Sequence, residues 1–259
     1  MDKNIIESKL NELSAPCEIY TFDEIASTNT LAKEMAREGA KSFTLITADK
    51  QSAGRGRMGR SFFSPDGSGI YLSLIIRPRF TFEEAFLITP SVAVAITNVL
   101  EKYGIDAKIK WVNDIYVNSR KVCGILTETC FSNDGITEWA VIGIGINLLK
   151  PKNNFPEEIQ NIAGYLFENE NDYISREMFT AEIITSVINA YKSLPDTNFI
   201  KSYQSKSFLD NKYVILQNGE TVQVVGIDDR CGLIVKHSDE KIETLTSTDV
   251  TIKITDSPD

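Results

Sequence analysis

The chain reads as an α+β protein in which helices flank a mixed or largely antiparallel sheet, followed by a small C-terminal β-barrel. Three features carry that reading. Two long apolar helical patterns bracket the middle of the chain, three strand-like runs between them are joined by hairpin-length polar turns, and beyond about Ser207 the pattern changes to short β-rich runs. The boundary is placed between residues 206 and 207, giving domains 1–206 and 207–259. With 259 residues and 42% hydrophobic content, the chain can bury a substantial core and is long enough for one large domain, or one large and one small.

In order, Ser27 to Glu38 opens with Ser-Thr-Asn, continues as a polar, Ala-rich helix and stops at Gly39, so Ser27 or Thr28 is the expected N-cap. Phe43 to Ala48 is a buried strand leading into the loop Gln51 to Arg60, which reads Gln-Ser-Ala-Gly-Arg-Gly-Arg-Met-Gly-Arg. Gly67-Ser68-Gly69 is a turn and Ile70 to Ile76 another apolar strand. Between Pro90 and Gly104 the residues Val92, Ala95, Ile96, Val99, Leu100 and Tyr103 recur at helical spacing, with proline at the entry and glycine at the exit. Ala107 to Trp111, Lys121 to Thr129 and Trp139 to Ile146 are strands, linked around Asn118-Ser119-Arg120 and Ser132-Asn133-Asp134-Gly135. Ser175 to Leu194 is the second long helix, with Phe179, Ile183, Ile184, Val187 and Tyr191 on its inner face. The last runs, Tyr213 to Leu216, Thr221 to Ile227, Leu233 to Val235 and Val250 to Ile254, lie between Gly, Asn and Asp turns and make up the expected barrel.

Met1-Asp2-Lys3-Asn4 opens no apolar leader and the longest apolar runs are of strand length, so neither export nor a membrane span is expected. Cys17, Cys123, Cys130 and Cys231 are far apart without a C-x-x-C pair, which points away from a disulfide framework or a zinc site and suits the reducing cytoplasm. The one histidine, His237, is read as a surface residue. A net charge of −9 argues against a chain whose main work is to coat nucleic acid. The Gly/Arg loop is then a basic island on an acidic body. Glycines let backbone N–H groups close on phosphate oxygens, and guanidinium forks match phosphate or carboxylate, so a small anionic ligand fits better than the alternative, a nucleic-acid contact.

Four polar clusters stand at strand ends or helix starts, where an α+β enzyme places its ligand groups. The first, Ser27-Thr28-Asn29, can cap a helix or hold a neutral polar head group. The second is the loop, followed by Phe62, Phe63 and Ser64-Pro65. Lys110-Trp111-Val112-Asn113-Asp114 packs a cation, an aromatic plate, an amide and a carboxylate into five residues. The fourth begins at Lys121, runs through Gly124-Ile125-Leu126 and resumes at Gly143-Ile144-Gly145-Ile146-Asn147. That last run lacks the third glycine of a dinucleotide fingerprint and is read as glycines beneath an approaching ligand.

In order and spacing these clusters resemble the biotin protein ligases, also called biotin–[acetyl-CoA-carboxylase] ligases, over nearly the whole chain. The resemblance implies a class II aminoacyl-tRNA synthetase-like catalytic domain with an SH3-like C-terminal barrel. It implies that biotin and ATP give biotinyl-5′-AMP and pyrophosphate, and that a lysine of a biotin carboxyl carrier protein or domain then attacks the mixed anhydride. By this resemblance Ser27, Thr28, Asn29, Gln51, Arg55, Gly56 and Arg57 hold the ureido head of biotin, while Lys121 meets its carboxylate and the adenylate phosphate. Gly54, Arg57, Lys110, Trp111, Asn113, Lys121 and Asn147 line the adenylate side, and Arg57, Lys121 and Asp114 are the implied catalytic set, with Asp114 near the attacking lysine. Mg²⁺ is implied through the phosphates of ATP. The carrier is the expected partner, with no DNA and no membrane, and the enzyme is a monomer or homodimer. About 20 residues precede the expected catalytic domain, too few for the helix-turn-helix domain of repressor-type members.

The chemistry of the residues agrees. Attack of a carboxylate on a phosphate brings two anions together, and fixed cations lower that repulsion in the transition state. The attacking ammonium must first lose a proton, for which Asp114 is the placed carboxylate. The glycine-rich loop is expected to order over the adenylate and shield the anhydride from water. Two positions depart from the family pattern: Val112 stands where many members have proline, relaxing only the local backbone, and Met58 stands where many have arginine, removing one cation. The tail Leu245 to Val250 is a loose version of the family's Gly-containing turn. A lipoate or octanoyl ligase shares the architecture, but Gln51 and the Ser-Thr-Asn cluster favour a polar bicyclic head over an apolar chain.

Overall fold

In the computed structural model, which describes residues 1–169, 175–246 and 253–255, the most apolar strand lies at the middle of a seven-stranded sheet. The strands are β1 (Glu18–Ile25), β2 (Thr44–Gln51), β3 (Gly69–Ile76), β4 (Lys108–Lys110), β5 (Asp114–Val117), β6 (Arg120–Phe131) and β7 (Thr137–Asn147). Their spatial order is β1-β2-β3-β7-β6-β5-β4, with β1 and β2 parallel and the other neighbours antiparallel. The sheet is mixed, as expected. All eight residues of β3 are buried because both faces of the sheet are covered, which explains its unbroken apolar sequence.

Strand alternation sorts the core into two layers. Leu45, Leu74 and Ile142 face α4 (Ile88–Lys102) and α5 (Arg176–Lys192), whereas their neighbours Ile46, Ile75 and Val141 face Ala32 and Ala36 of α2 (Thr28–Arg37). The short α3 (Phe82–Phe86) leads into α4; the joined stretch is apolar enough to cross a membrane by length and composition, yet most of α4 is buried in this core. Ser27 caps α2 by accepting from Thr30 N, and Gly39 follows the helix at φ +96°.

Besides the short α3 and a short last helix, three elements of the large sheet's unit were not anticipated. The first is α1 (Lys3–Glu12), which packs on α5 through the fully buried Ile6 and Leu10. The second is the edge strand β1. The third is β5, paired with β6 through a turn in which Asn118 and Ser119 both take positive φ, the geometry that joins twisted strands. The first 25 residues are therefore built into this unit rather than leading up to it.

After α6 (Ile200–Ser205) comes a second sheet of β8 (Tyr213–Ile215), β9 (Thr221–Ile227), β10 (Leu233–Lys236), β11 (Ile242–Leu245) and β12 (Lys253–Thr255), ordered β11-β10-β9-β8-β12. This corrects the expected closed barrel: among the described residues β11 and β12 are open edges that do not pair with each other. Among the described residues the β8–β12 ladder has three residue pairs, a short run at the sheet's edge. Residues 247–252, including most of the tail turn and the start of the expected last strand, lie outside the described residues. One apolar cluster runs from Ile6 to Leu245 and so includes residues of both sheets. Trp111 Nε1 donates to the Cys231 carbonyl at 2.8 Å and Gln204 Nε2 to the Ile227 carbonyl at 2.8 Å, locking the second sheet behind the β4–β5 turn.

All four cysteines are free thiols. His237 lies on the second sheet between Glu220 (Nδ1 to Oε1, 2.6 Å) and Glu243 (Nε2 to Oε2, 2.9 Å), and the hydrogen bond to Glu220 leads in raising its pKa above the ordinary 6.5. A raised folded-state value gives stability that is complete below the unfolded pKa and is lost as pH rises through the folded one. His237→Gln is accordingly expected to be less stable than the parent at about pH 5.5 and equal to it at about pH 8.5 in urea unfolding; a pH-independent difference would contradict the clasp. Leu10→Ala is expected to cost about 3 kcal/mol by the same measurement, and a change within about 0.5 kcal/mol would mean that α1 is not part of the core.

Candidate active site

A cleft of about 150 Å³ opens where the start of α2, the loop after β2, the β4–β5 turn and the middle of β6 and β7 converge. One end is neutral and polar, and the other is cationic. The neutral end is a closed hydrogen-bond network. Gln51 Oε1 accepts from the backbone N and the hydroxyl of Thr28 at 2.9 and 3.1 Å, while Gln51 Nε2 donates to Ser64 Oγ at 2.9 Å. Ser73 Oγ lies 2.9 Å from Thr28 Oγ1 and 2.5 Å from Asn29 Oδ1, and its single proton serves one of them at a time. Asn29 Nδ2 uses both hydrogens, toward the Leu126 carbonyl at 3.2 Å and Glu128 Oε2 at 3.1 Å. Ser27, Thr28 and Asn29 are each at most 4% exposed, so this end offers hydroxyl and amide groups whose orientations are set before any ligand contact.

The loop folds back on itself. Gly56 N donates to the Arg60 carbonyl at 2.7 Å, Phe62 N to the Gly54 carbonyl at 2.9 Å, and Arg55 bridges to Ser61. A Cβ at Gly54 would stand 2.4 Å from the Phe62 carbonyl, so the closure requires glycine there. Met58, half exposed at the mouth, takes φ +54°. The floor beneath the loop is also made of missing side chains. A Cβ on Gly145 would lie 2.5 Å from the Phe62 ring, and one on Gly143 would lie 2.0 Å from Asn29 Oδ1. Glycines in the fourth cluster do mark close approach, though the groups that approach are the protein's own.

At the cationic end Arg57 NH1 donates to Asn113 Oδ1 at 3.1 Å, and Asn113 Nδ2 donates to the Ile125 carbonyl at 2.9 Å, tying the loop to β6. Lys121 Nζ lies 2.7 Å from Asp114 Oδ1. This is a charge contact without an aligned hydrogen bond, which leaves Asp114 Oδ1 with unused acceptor capacity. Lys110 stands over the Tyr116 ring at 5.8 Å. Burial pulls its pKa below the ordinary 10.5; Asp114 opposes that, while Lys121, Arg60 and Lys212 push it further down. Burial likewise lowers Arg57, again against Asp114. Four cations, Arg57, Arg60, Lys110 and Lys121, thus line one end of the cleft beside Asp114, the one lining carboxylate among the described residues. Such crowding of partly desolvated positive charge favours an anion.

Of the residues singled out from sequence, Ser27, Thr28, Asn29, Gln51, Arg55, Gly56, Arg57, Lys110, Trp111, Asn113, Asp114 and Lys121 line this cleft. Gly54 and Asn147 do not: Gly54 sits under the Phe62 carbonyl, and Asn147 Nδ2 donates to the Gly164 carbonyl at 2.9 Å, bracing the segment beside Lys121. The Trp111–Val112 peptide bond is cis, and the Val112 carbonyl accepts from Tyr203 OH at 3.1 Å. Ser73 and Glu128 were not foreseen. Ser73 had a signal, being the lone polar side chain in an eight-residue buried strand.

The biotin/lipoate A/B protein ligase family model matches residues 21–147. The bifunctional ligase/repressor BirA of Bacillus subtilis is 34% identical over 235 residues, covering 88% of this chain and 72% of that protein. A biotin–[acetyl-CoA-carboxylase] ligase of Paracoccus denitrificans is 34% identical over 155 residues, covering 56% of this chain and 63% of its own. Among solved structures, the biotin protein ligase from Aquifex aeolicus in complex with biotin and ATP is similar with a TM-score of 0.77, at 24% identity, over 92% of this chain and 99% of that one. At that identity the likeness speaks for the fold.

Gly143→Ala should force the Asn29 amide off the floor and break its bond to Ser73, at a cost of about 2 kcal/mol in chemical denaturation. Unchanged stability with Asn29 still in place by crystallography would contradict the packing described.

Proposed function

Because the chain belongs to the biotin/lipoate A/B protein ligase family, we propose how its residues divide the work of an ATP-dependent biotin protein ligase, which activates biotin and transfers it to a carboxylase. The observation that carries this division is the polarity of the cleft: a buried neutral end of hydroxyls and amides joined to an end lined by four cations. A ureido ring offers two N–H donors and a carbonyl acceptor, which the Ser27, Thr28, Asn29 and Gln51 network can satisfy. The disulfide ring of lipoate and the alkyl chain of octanoate would cover those buried polar groups without offering them a hydrogen bond.

In the first step a biotin carboxylate oxygen attacks the α-phosphorus of ATP, the bond to the β-phosphate breaks, and pyrophosphate leaves. Arg57 and Lys121 stand where both anions must meet, held by Asn113 and Asp114 respectively, so their charge opposes the repulsion as the bond forms. Lys110 and Trp111 are assigned to the nucleotide. Among the described residues no cluster of His, Cys, Asp or Glu is fit to hold a metal, and the Mg²⁺ the family implies is read as part of the nucleotide substrate. In the second step the carrier lysine nitrogen attacks the biotinyl carbonyl, the bond to AMP breaks, and the proton shed by the ammonium goes to Asp114, whose Oδ1 has acceptor capacity to spare. Under this reading residues 1–206 carry the catalysis and residues 207–259 support the cleft from behind Trp111. The net charge of −9 favours a protein carrier over DNA as the macromolecular partner, and the unpaired cysteines suit the cytoplasm.

The test is exchange of labelled pyrophosphate into ATP with biotin, lipoate or octanoate, which follows activation without the carrier. Biotin alone should support it, and Lys121→Ala should lose at least about 10²-fold, equivalent to about 2.7 kcal/mol of transition-state stabilisation. Exchange driven only by lipoate or octanoate would overturn the substrate, and full activity in Lys121→Ala would overturn the role of that lysine.

A further inference from the structure

Glu128, on β6, takes no part in the two steps above, yet it touches three side chains at the edge of the cleft, two from α2 and one from the loop. Its Oε2 accepts from Asn29 Nδ2 at 3.1 Å; its Oε1 lies 2.6 Å from Lys33 Nζ and 3.5 Å from Arg55 NH1. Asn29 and Lys33 are four residues apart on α2 and so present to one side, while Arg55 belongs to the loop. A carboxylate therefore sits where the helix start, the loop and the sheet meet. Its side chain is only 22% exposed, which screens these contacts less than at an open surface.

The consequence falls on Asn29. A side-chain amide can sit in two orientations that differ by exchanging its oxygen and nitrogen. Here both partners on β6, the Leu126 carbonyl and the Glu128 carboxylate, can only accept, so Nδ2 must face the strand and Oδ1 must face Ser73 and the cleft. The Ser73 hydroxyl uses one lone pair of Oδ1 and leaves the second for an incoming N–H. Gly143 closes the third side, because any Cβ there would occupy the place of Oδ1.

We infer that Glu128 is a positioning residue for biotin recognition: through its contact with Asn29 it presents Oδ1 as an acceptor for a ureido N–H, and through Arg55 it draws the loop against the head-group end. The inference rests on the biotin reading given above. Lys33 has a supporting part, keeping Glu128 turned toward α2. An ion pair that merely held α2 to the sheet would affect folding and leave substrate discrimination alone.

The experiment measures pyrophosphate exchange in the full-length parent, Glu128→Gln, Asn29→Ala and the double variant, varying biotin and ATP separately. Glu128→Gln keeps the size of the side chain and one acceptor oxygen but removes the charge. It is expected to raise KM for biotin about tenfold while KM for ATP and kcat stay within about twofold. Added to Asn29→Ala, the same change should raise KM for biotin by less than about twofold, since both act through one contact. Calorimetric titration with biotin, referred to the folded fraction from thermal melts, separates weak binding from poor folding. An unchanged KM for biotin in Glu128→Gln overturns the inference, as do equal losses for both substrates or effects that multiply in the double variant. If the parent shows no biotin-dependent exchange, the biotin reading itself fails, and the positioning role fails with it.

Discussion

Four positive side chains gathered in one partly buried cleft are the constraint around which this structure is arranged. Arg57 comes from the loop after β2, Lys110 from the end of β4 and Lys121 from β6, and burial lowers the pKa of the first two. Charges of one sign do not collect in a desolvated place without something to hold them there. Asp114 beside Lys121, Asn113 beside Arg57 and the Tyr116 ring beneath Lys110 do the holding, and each comes from the same short stretch at the β4–β5 turn. That turn is in turn fixed from behind by the Trp111 and Tyr203 hydrogen bonds, so the second sheet and α6 matter to the site although they stand behind it. A ligand that brings a negative phosphate completes the electrostatics.

The opposite end of the cleft follows a different rule. There the groups are neutral and buried, and specificity comes from orientation rather than charge. Gln51 and Asn29 are each held so that oxygen and nitrogen cannot exchange places, by Thr28 and Ser64 in one case and by Leu126, Glu128 and Ser73 in the other. Glycines on β7 make this possible, since Gly143 and Gly145 give up side chains so that Asn29 and Phe62 can lie directly on the strand. The division into a neutral and a charged end matches a molecule with a polar, uncharged ring at one end and a carboxylate at the other.

What could be read from the sequence was what is local in it. The loop of Gln51 to Arg60 and the run of Lys110 to Asp114 are contiguous, so their chemistry was visible before their partners were known. Ser73 and Glu128 acquire meaning only through Asn29, 44 and 99 residues away, and no local pattern announces such a contact. Helix α1 was missed because only Ile6 and Leu10 of its ten residues are buried, and β1 because it is an edge strand with one fully buried residue. β5 was missed because its four residues lie between Trp111 and Lys121, in a stretch read as the link between two strands and too short to show its own alternation. The barrel failed for a related reason: strands are legible locally, but closure depends on whether the two edge strands pair, and among the described residues β11 and β12 stay open edges. Asn147 was read as a site residue along with the run that ends in it, and Gly143 to Gly145 of that run do line the cleft, while its own amide turns to the Gly164 carbonyl.

The central claim is that a phosphate completes the cationic end while the neutral end supplies selectivity. Calorimetric titration tests it most directly, comparing a non-hydrolysable biotinyl-adenylate analogue that keeps the phosphate with one whose phosphate is replaced by an uncharged linker. The account predicts that the phosphate-bearing compound binds tighter by at least about 100-fold, or about 2.7 kcal/mol, and that added salt narrows the gap. Equal affinities at every salt concentration would show that the gathered cations serve some other purpose and would contradict the account.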